Sequence, residues 1–440
     1  MLNFRDGGRH ETIHARVVLA ILPDMMKTNT DQTRRLHPIV FLVLILPFGI
    51  MIGYLSVTVA YQLTHAGVST DKVAAMIAVT LIPSTWKFLW APVVDTCLRR
   101  KTWYLIACVA SALGIAATGA LPATAAGMAL LTLVAFLAKL AATFLGMAVE
   151  SLLAHGAPAD QKGRASGWFQ AGNLGGVGLG GGAGLWIATH FEQAWLAGTV
   201  LGAVSLMCCL ALFFVDEPEV THRAHGIVRN VVDVVKDVWK VVRARPGYLA
   251  LLICFLPLSS GAAANLWSSV AGDWNASADA VALTDGLLGG VVSALGCLLA
   301  GRICDRMDRK HAYALFGALM ALCTIVMAMA PRTQSMYVGF VLLYAFITGL
   351  TYAAFSAVVL EAIGLGAAAT KYNLFSSLSN TPIAYMTLIE GWTRVHWNTS
   401  TMLYAESTMG IIGLLVFFSV AKLSKTTLPN GSPAVVPDVT

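Results

Sequence analysis

Residues 301–310 read Gly-Arg-Ile-Cys-Asp-Arg-Met-Asp-Arg-Lys, and residues 91–100 read Ala-Pro-Val-Val-Asp-Thr-Cys-Leu-Arg-Arg. In both segments an aspartate, Asp305 or Asp95, follows a small residue by four positions and precedes a basic pair. The two aspartates lie 210 positions apart, which is about half of the 440-residue chain. The recurrence predicts that the chain contains two similar halves.

Further pairs of polar residues recur at nearly the same offset. They are Glu150 with Glu361, Arg164 with Lys371, and Asn173 with Asn380. Each pair occupies the same predicted position in its half of the chain. Two parallel repeats of this kind are typical of transporters built from two helical bundles around a central cavity.

The composition indicates a membrane protein. Of all residues 57% are hydrophobic and only 12% are charged, whereas soluble domains have roughly 25% charged residues. A membrane-spanning helix needs about 20 apolar residues. We therefore predict an all-α polytopic fold with twelve transmembrane helices in two pseudo-symmetric six-helix bundles, at 39–62, 73–95, 103–121, 126–150, 165–189, 194–215, 247–270, 281–301, 311–330, 336–361, 372–393 and 402–421.

The distribution of Lys and Arg predicts the orientation, because cytoplasmic loops are rich in both residues. With the N-terminus in the cytoplasm, 24 of the 29 basic residues lie on the cytoplasmic side. Only Lys72, Arg332 and Arg394 lie on the other side. We expect a multi-pass protein of the bacterial inner membrane with both termini in the cytoplasm. The net charge of +6 then faces the anionic lipid bilayer and does not indicate a nucleic-acid partner.

The predicted domain organisation follows from these spans. A cytoplasmic N-terminal tail covers 1–37, and the six-helix bundles cover 38–215 and 247–421. The linker 216–246 alternates valines with charged residues at helical spacing, which predicts an amphipathic helix on the membrane surface. A cytoplasmic tail covers 422–440.

Two motifs carry a family resemblance. The segment Gly301-x-x-x-Asp305-Arg306-x-x-Arg309-Lys310 resembles the loop signature of the major facilitator superfamily. The nonapeptide Lys87-Phe-Leu-Trp-Ala-Pro-Val-Val-Asp95 is similar to a segment of AmpG-type permeases, a group that includes muropeptide permeases, acetyl-CoA transporters and some siderophore permeases. The resemblance implies a secondary active transporter that works by alternating access and proton symport.

Two lysines lie within predicted spans. Lys87 and Lys139 are eight and eleven residues from the cytoplasmic ends of their helices, and a cation at such depth costs at least about 2.5 kcal/mol unless it faces water or a partner. We expect both to face a cavity that receives an anion, although structural pairing would also explain them. The predicted substrate-binding residues are Lys87, Lys139, Gln170, Asn173, Asn265, Asn373, Asn380 and Tyr385.

A second set of charged residues clusters at the predicted cytoplasmic ends of the spans. The superfamily resemblance implies that such residues form charge pairs that close the cytoplasmic side. The predicted gating residues are Asp95, Arg99, Glu150, Arg164, Asp305, Arg309, Glu361 and Lys371. Candidate proton carriers are Glu150, Glu361, Glu390 and Glu406, and none of them is central in its span.

The predicted function is proton-coupled uptake of a bulky organic anion such as a siderophore. The alternatives are a muropeptide or acyl-CoA permease and a non-transporting membrane sensor. No enzyme motif occurs, and the eight cysteines form neither a Cys-x-x-Cys nor a Cys/His cluster, so we predict no catalytic residue, metal site or cofactor. The expected partners are a small anionic substrate, protons and lipid, and the expected state is a monomer.

Overall fold

The computed structural model describes residues 37–68, 70–122, 124, 126–215, 217, 227–364 and 367–427. These residues form helices joined by short loops. Eight of the helices are long and apolar enough to cross a membrane. They are Ile39–His65, Arg100–Ala120, Met128–Gly156, Ala194–Phe214, Asp279–Cys304, Arg309–Met329, Gln334–Ile363 and Thr399–Lys422.

The other four predicted spans fall on helices that are interrupted or rich in glycine. The second span consists of Thr70–Thr85, Lys87–Leu89 and Ala91–Thr96, and the eleventh of Ala368–Leu378 and Asn380–His396. The fifth consists of Lys162–Gly178, Leu179–Ala183 and Gly184–His190, and the seventh of Arg245–Phe255, Ala262–Asn265, Trp267–Val270 and Ala271–Trp274. Interrupted backbone at membrane depth is tolerated where it borders protein or a water-filled cavity.

The prediction of an all-helical membrane fold is confirmed, and the predicted helix ends are wrong at one important place. The fourth span was expected to end at Glu150, but its helix continues to Gly156. Glu150 therefore lies inside the bundle, not at a helix end. The predicted tail at 1–37 lies outside the described residues except for His37, and so do residues 428–440 of the C-terminal tail.

In the first bundle, the first span packs against the fifth, and the third packs against the fourth and the sixth. In the second bundle, the eighth span packs against the tenth, and the ninth packs against the twelfth. The fifth and eighth spans join the bundles along a shared interface. Small residues allow helix backbones in a membrane to approach closely. At this interface a Cβ atom added to Gly167 would lie 2.6 Å from the Cys297 carbonyl oxygen and 2.9 Å from the Gly301 Cα.

Gly167→Ala should therefore disturb the contact between the two bundles, because neither backbone atom can move aside. We expect a destabilisation of about 1–3 kcal/mol, as for other overpacked sites, measured as a lower thermal unfolding midpoint in detergent. Gly175→Ala is the matched control, since its added Cβ would meet only the Ala294 Cβ at an ordinary 3.5 Å. Equal unfolding midpoints for the two variants would contradict this account of the interface.

The linker between the bundles contains a helix, Ile227–Arg243. Asp237 on this helix forms a salt bridge with Lys371, whose side chain is buried at the start of the eleventh span (Oδ2–Nζ 2.9 Å). Val235 and Trp239 on the same helix are exposed. The linker helix is thus anchored to the second bundle by an ion pair.

Candidate functional site

A cavity of about 600 Å³ lies between the two bundles. That volume is within the range of about 300–1,000 Å³ that is usual for small-molecule sites. Side chains of both bundles line it, among them Phe48, Lys87, Lys139, Glu150, Phe169 and Gln170 of the first bundle and Ser259, Ser260, Tyr313, Tyr352, Phe355 and Tyr372 of the second.

Exposure of the lining residues changes along the cavity. Lys87, Glu150 and Tyr372 are buried, and they lie close in sequence or space to Asp95 and the start of the eleventh span. Leu81 and Asn265, which also line the cavity, are exposed. The end of the cavity near Asp95 is therefore enclosed by buried side chains.

Two carboxylates close this end by capping helices of the opposite bundle. The Asp95 carboxylate, in the second span, accepts hydrogen bonds from the backbone N–H groups of Ala369 and Thr370 at 3.2 and 2.8 Å, and from the Thr370 hydroxyl at 2.8 Å. The first N–H groups of a helix have no partner within the helix and carry partial positive charge. Asp95 thus joins the first bundle to the start of the eleventh span.

Asp305 makes the equivalent contact in the other direction. Its carboxylate, in the eighth span, accepts from the backbone N–H groups of Gly163 and Arg164 at 2.8 and 3.1 Å, at the start of the fifth span. The Arg164 side chain adds an ion pair (Nε–Oδ2 3.4 Å). We call the Asp95 and Asp305 contacts the two latches, and the side of the protein that carries them the latch end.

The other predicted gating residues occupy different environments. Arg309 pairs with Glu361 at 3.0 Å and also donates to the Ala159 carbonyl of the first bundle at 2.8 Å. Lys371 pairs with Asp237 of the linker, and Arg99 is exposed at the latch end. Glu150 does not belong with these residues, because it lies in the cavity.

Glu150 connects three spans at the closed end of the cavity. One carboxylate oxygen accepts from Lys87 Nζ of the second span at 3.2 Å, and the other accepts from Asn373 Nδ2 of the eleventh span at 2.6 Å. All three side chains are buried. The positive charge of Lys87 is therefore already balanced by the protein.

Lys139 has no such partner. Its Nζ atom is buried without a hydrogen-bond partner, and its side chain is 2% exposed. It lines the cavity and lies 4.6 Å from the centre of the Phe48 ring. Contact with an aromatic face compensates a desolvated cation by only about 2 kcal/mol, so this ammonium group has unused capacity to bind an anion.

The cavity wall of the second bundle is uncharged among the described residues. It offers the hydroxyl groups of Ser259, Ser260 and Tyr313, and the aromatic rings of Tyr352 and Phe355. One side of the cavity thus carries a cation, and the other offers neutral hydrogen-bonding and aromatic groups.

Six of the eight predicted substrate-binding residues line the cavity: Lys87, Lys139, Gln170, Asn173, Asn265 and Asn380. Asn173 donates to Gln170 at 3.0 Å, and Asn265 donates to Thr387 at 3.0 Å. The other two are engaged elsewhere. Asn373 binds Glu150, and Tyr385 donates to the Phe255 carbonyl at 3.0 Å.

The arrangement of two bundles, a central cavity and paired latches has a counterpart among known families. The sequence profile of the Major Facilitator Superfamily matches residues 38–387. The chain is a member of this superfamily. It is therefore a membrane transporter. A comparison with curated protein sequences gives no match.

Solved structures of other major facilitator proteins share the fold at low sequence identity. The fucose:proton symporter FucP of E. coli has a TM-score of 0.67 at 14% identity, covering 87% of this chain and 98% of its own. The human organic anion transporter MFSD10 (TETRAN) has a TM-score of 0.66 at 16% identity, covering 88% and 100%. The proton:xylose symporter XylE, bound to 6-bromo-6-deoxy-D-glucose, has a TM-score of 0.63 at 15% identity, covering 87% and 95%.

Sequence reasoning missed the aromatic part of this transporter's cavity. Phe48, Phe169, Tyr313, Tyr352 and Tyr372 all line it. In the sequence each is an aromatic residue within an apolar span, a pattern equally typical of residues that face lipid or the bundle interior. Only the position of the second bundle against the first distinguishes them.

The Lys87–Glu150 pair makes a testable prediction about stability. Glu150→Gln should destabilise the protein by about 3–5 kcal/mol, because it leaves a buried charge unpaired. The double variant Lys87→Met/Glu150→Gln, which removes both charges, should recover most of that loss. Thermal unfolding in detergent measures both. A double variant no more stable than Glu150→Gln would show that Lys87 is not compensated by Glu150.

Proposed function

We propose that this major facilitator transporter takes up a bulky organic anion by alternating access, in symport with protons. The observation that supports the anion is Lys139, a buried cation in the cavity without a hydrogen-bond partner. An anionic group bound beside it would remove the cost of an unpaired charge at membrane depth.

The rest of the cavity supports a large, only partly polar substrate. The volume of about 600 Å³ exceeds what a small inorganic anion needs. Aromatic rings and hydroxyl groups on the wall of the second bundle suit the body of an organic molecule. Siderophores fit these requirements and the AmpG-type nonapeptide at 87–95. Muropeptides and acyl-CoA share the negative charge and remain the alternatives within the same class.

The direction of transport is proposed from the orientation of the chain. With the predicted topology, the basic latch end faces the cytoplasm. The cavity then opens to the outside, where an imported substrate enters. Movement of the bundles that breaks both latches would open the cavity to the cytoplasm. We further propose that the protein is a monomer of the bacterial inner membrane with both termini in the cytoplasm.

Proton coupling is proposed because two of the structural neighbours, XylE and FucP, are described as proton symporters. MFSD10, which shares the fold, is described as an organic anion transporter, and this supports the proposed class of substrate. Symport with protons would also offset the negative charge that the substrate carries across the membrane.

Uptake into liposomes that contain the purified protein tests the proposal. An inward proton gradient is imposed, and the panel contains siderophores, muropeptides, acyl-CoA and the neutral sugars xylose and fucose. We expect saturable accumulation of at least one anion, abolished by a protonophore. Accumulation of a neutral sugar alone would identify a sugar symporter, and no accumulation of any anion in the panel would contradict the proposal.

A further inference from the structure

The second bundle contains two buried acidic residues that do not line the substrate cavity. Glu390 of the eleventh span is 0% exposed, and Glu406 of the twelfth span is 4% exposed. Neither oxygen of the Glu390 carboxyl group has a hydrogen-bond partner, and Oε2 of Glu406 also lacks one. Three of the four carboxyl oxygens are thus buried and unsatisfied.

The groups around this pair do not neutralise it. The Tyr344 hydroxyl of the tenth span donates to Glu406 Oε1 at 2.5 Å. The Ser260 hydroxyl and the Ala263 N–H of the seventh span and the Cys323 thiol of the ninth lie near the same carboxyl group. Arg394, one helical turn after Glu390, forms its salt bridge with Asp273 (3.0 Å).

Two carboxylates in a buried site cannot both stay ionised without a cation, because each disfavours the charge of the other. Glu390 lies on helix Asn380–His396 and Glu406 on helix Thr399–Thr427, which pack against each other and bring the two charges near enough to repel. We propose that Glu390 and Glu406 form a proton-binding pair that carries the coupling proton of this transporter. A proton that adds to one carboxylate oxygen leaves the pair with one negative charge in place of two.

The interrupted seventh span connects this pair with the substrate cavity. Helix Arg245–Phe255 ends before Pro257, and the chain turns at Gly261, whose φ is +68°. Ser260 lines the cavity and also faces Glu406. Asn265 lines the cavity and donates to Thr387, which precedes Glu390 by three residues on the same helix. Substrate that moves this segment would therefore change the surroundings of both carboxyl groups.

We assign a proton to this site, and a sodium ion is the alternative that the test below distinguishes. A sodium ion takes several oxygen ligands at once, whereas a proton needs a single carboxylate oxygen. The Tyr344 hydroxyl already occupies one oxygen of the pair. Membrane-embedded carboxyl groups without basic partners are typical of proton relays. The role in coupling rests on the proposed proton symport, but proton binding by the pair does not.

Infrared difference spectroscopy of the full-length protein in liposomes tests the pair without any substrate. Wild type should show the carbonyl-stretch band of a protonated carboxylic acid near neutral pH. Glu390→Gln and Glu406→Gln should each remove or shift that band, and Glu192→Gln, which alters an exposed carboxyl group, should leave it unchanged. A band insensitive to both variants, or one that disappears on addition of sodium at constant pH, would overturn the assignment.

Transport by the same variants tests coupling. In Glu390→Gln and Glu406→Gln, exchange of a transported anion at equal pH on both sides should persist, while accumulation driven by a proton gradient should be lost. Retained gradient-driven accumulation in both variants would overturn the coupling role. If wild type moves no anion, the proposed function fails, and the infrared result still decides whether the pair binds a proton.

Discussion

Lys139→Gln should abolish or strongly weaken uptake of the anionic substrate. The Lys139 ammonium group is the cation in the cavity that has no hydrogen-bond partner. Loss of a desolvated partner of a bound charge costs about 2–5 kcal/mol, which corresponds to an affinity lower by roughly 30-fold to 4,000-fold. The concentration dependence of uptake into liposomes measures the change.

Lys72→Gln is the matched control, since it removes a lysine that is exposed at the beginning of the second span. Its uptake should equal that of wild type. The folded state of Lys139→Gln is checked by thermal unfolding, which we expect to be unchanged or slightly improved because a buried charge is gone. A Lys139→Gln transporter with wild-type affinity would show that the substrate does not bind there.

Asp95→Asn and Asp305→Asn, combined in one variant, should open the latch end. Each carboxylate holds the first N–H groups of a helix in the opposite bundle. A hydrogen bond to a charged group contributes about 1.5–3 kcal/mol. Weakening both latches can therefore change the equilibrium constant between the conformations closed and open at the latch end by several powers of ten. The conformation closed at the latch end should no longer predominate.

The distance between spin labels at positions 160 and 307 reports this change. Asp160 and Met307 are exposed residues on opposite bundles at the latch end. The native cysteines are replaced so that only these two positions carry labels. The variant with both Asp95→Asn and Asp305→Asn should then show a longer distance between the labels than wild type. Asp308→Asn is the control, because Asp308 caps Lys310 and His311 within its own bundle. An unchanged distance in the double variant would mean that the latches do not hold the bundles together.

The repeat in the sequence predicted the architecture because each half folds into the same arrangement. Asp95 and Asp305 could be singled out since an acidic residue among basic ones is conspicuous in a loop. Their partners could not be predicted. Asp95 binds the backbone N–H groups of Ala369 and Thr370, and Asp305 binds those of Gly163 and Arg164. Because nearly every residue type has the same backbone N–H group, the sequence does not indicate such a contact.

The two lysines within spans, Lys87 and Lys139, show a different limit of prediction from sequence. Their depth in the membrane predicted that both would face a cavity or a partner, and the structure distinguishes between these possibilities. Lys87 is paired with Glu150, a carboxyl group that sequence analysis placed at a helix end. Lys139 has no hydrogen-bond partner. The difference depends on how the second and fourth spans align in space, which a single sequence does not show.

Prolines within spans account for only part of the irregularity of the helix backbones. Pro257 lies in the interruption of the seventh span and Pro382 follows the break between the helices of the eleventh. Pro47 lies within the continuous helix Ile39–Gly53. A proline removes one backbone hydrogen bond, and neighbouring helices determine whether the helix breaks there.

A comparison of two substrates that differ only in charge tests the central proposal of an anion-binding cavity most directly. A transported organic acid is compared with its neutral amide or ester of similar size, in liposomes that contain wild type or Lys139→Gln. We predict that wild type prefers the acid by at least about tenfold, or about 1.4 kcal/mol, and that Lys139→Gln loses this preference. Equal transport of the acid and its neutral analogue by wild type would contradict the proposal.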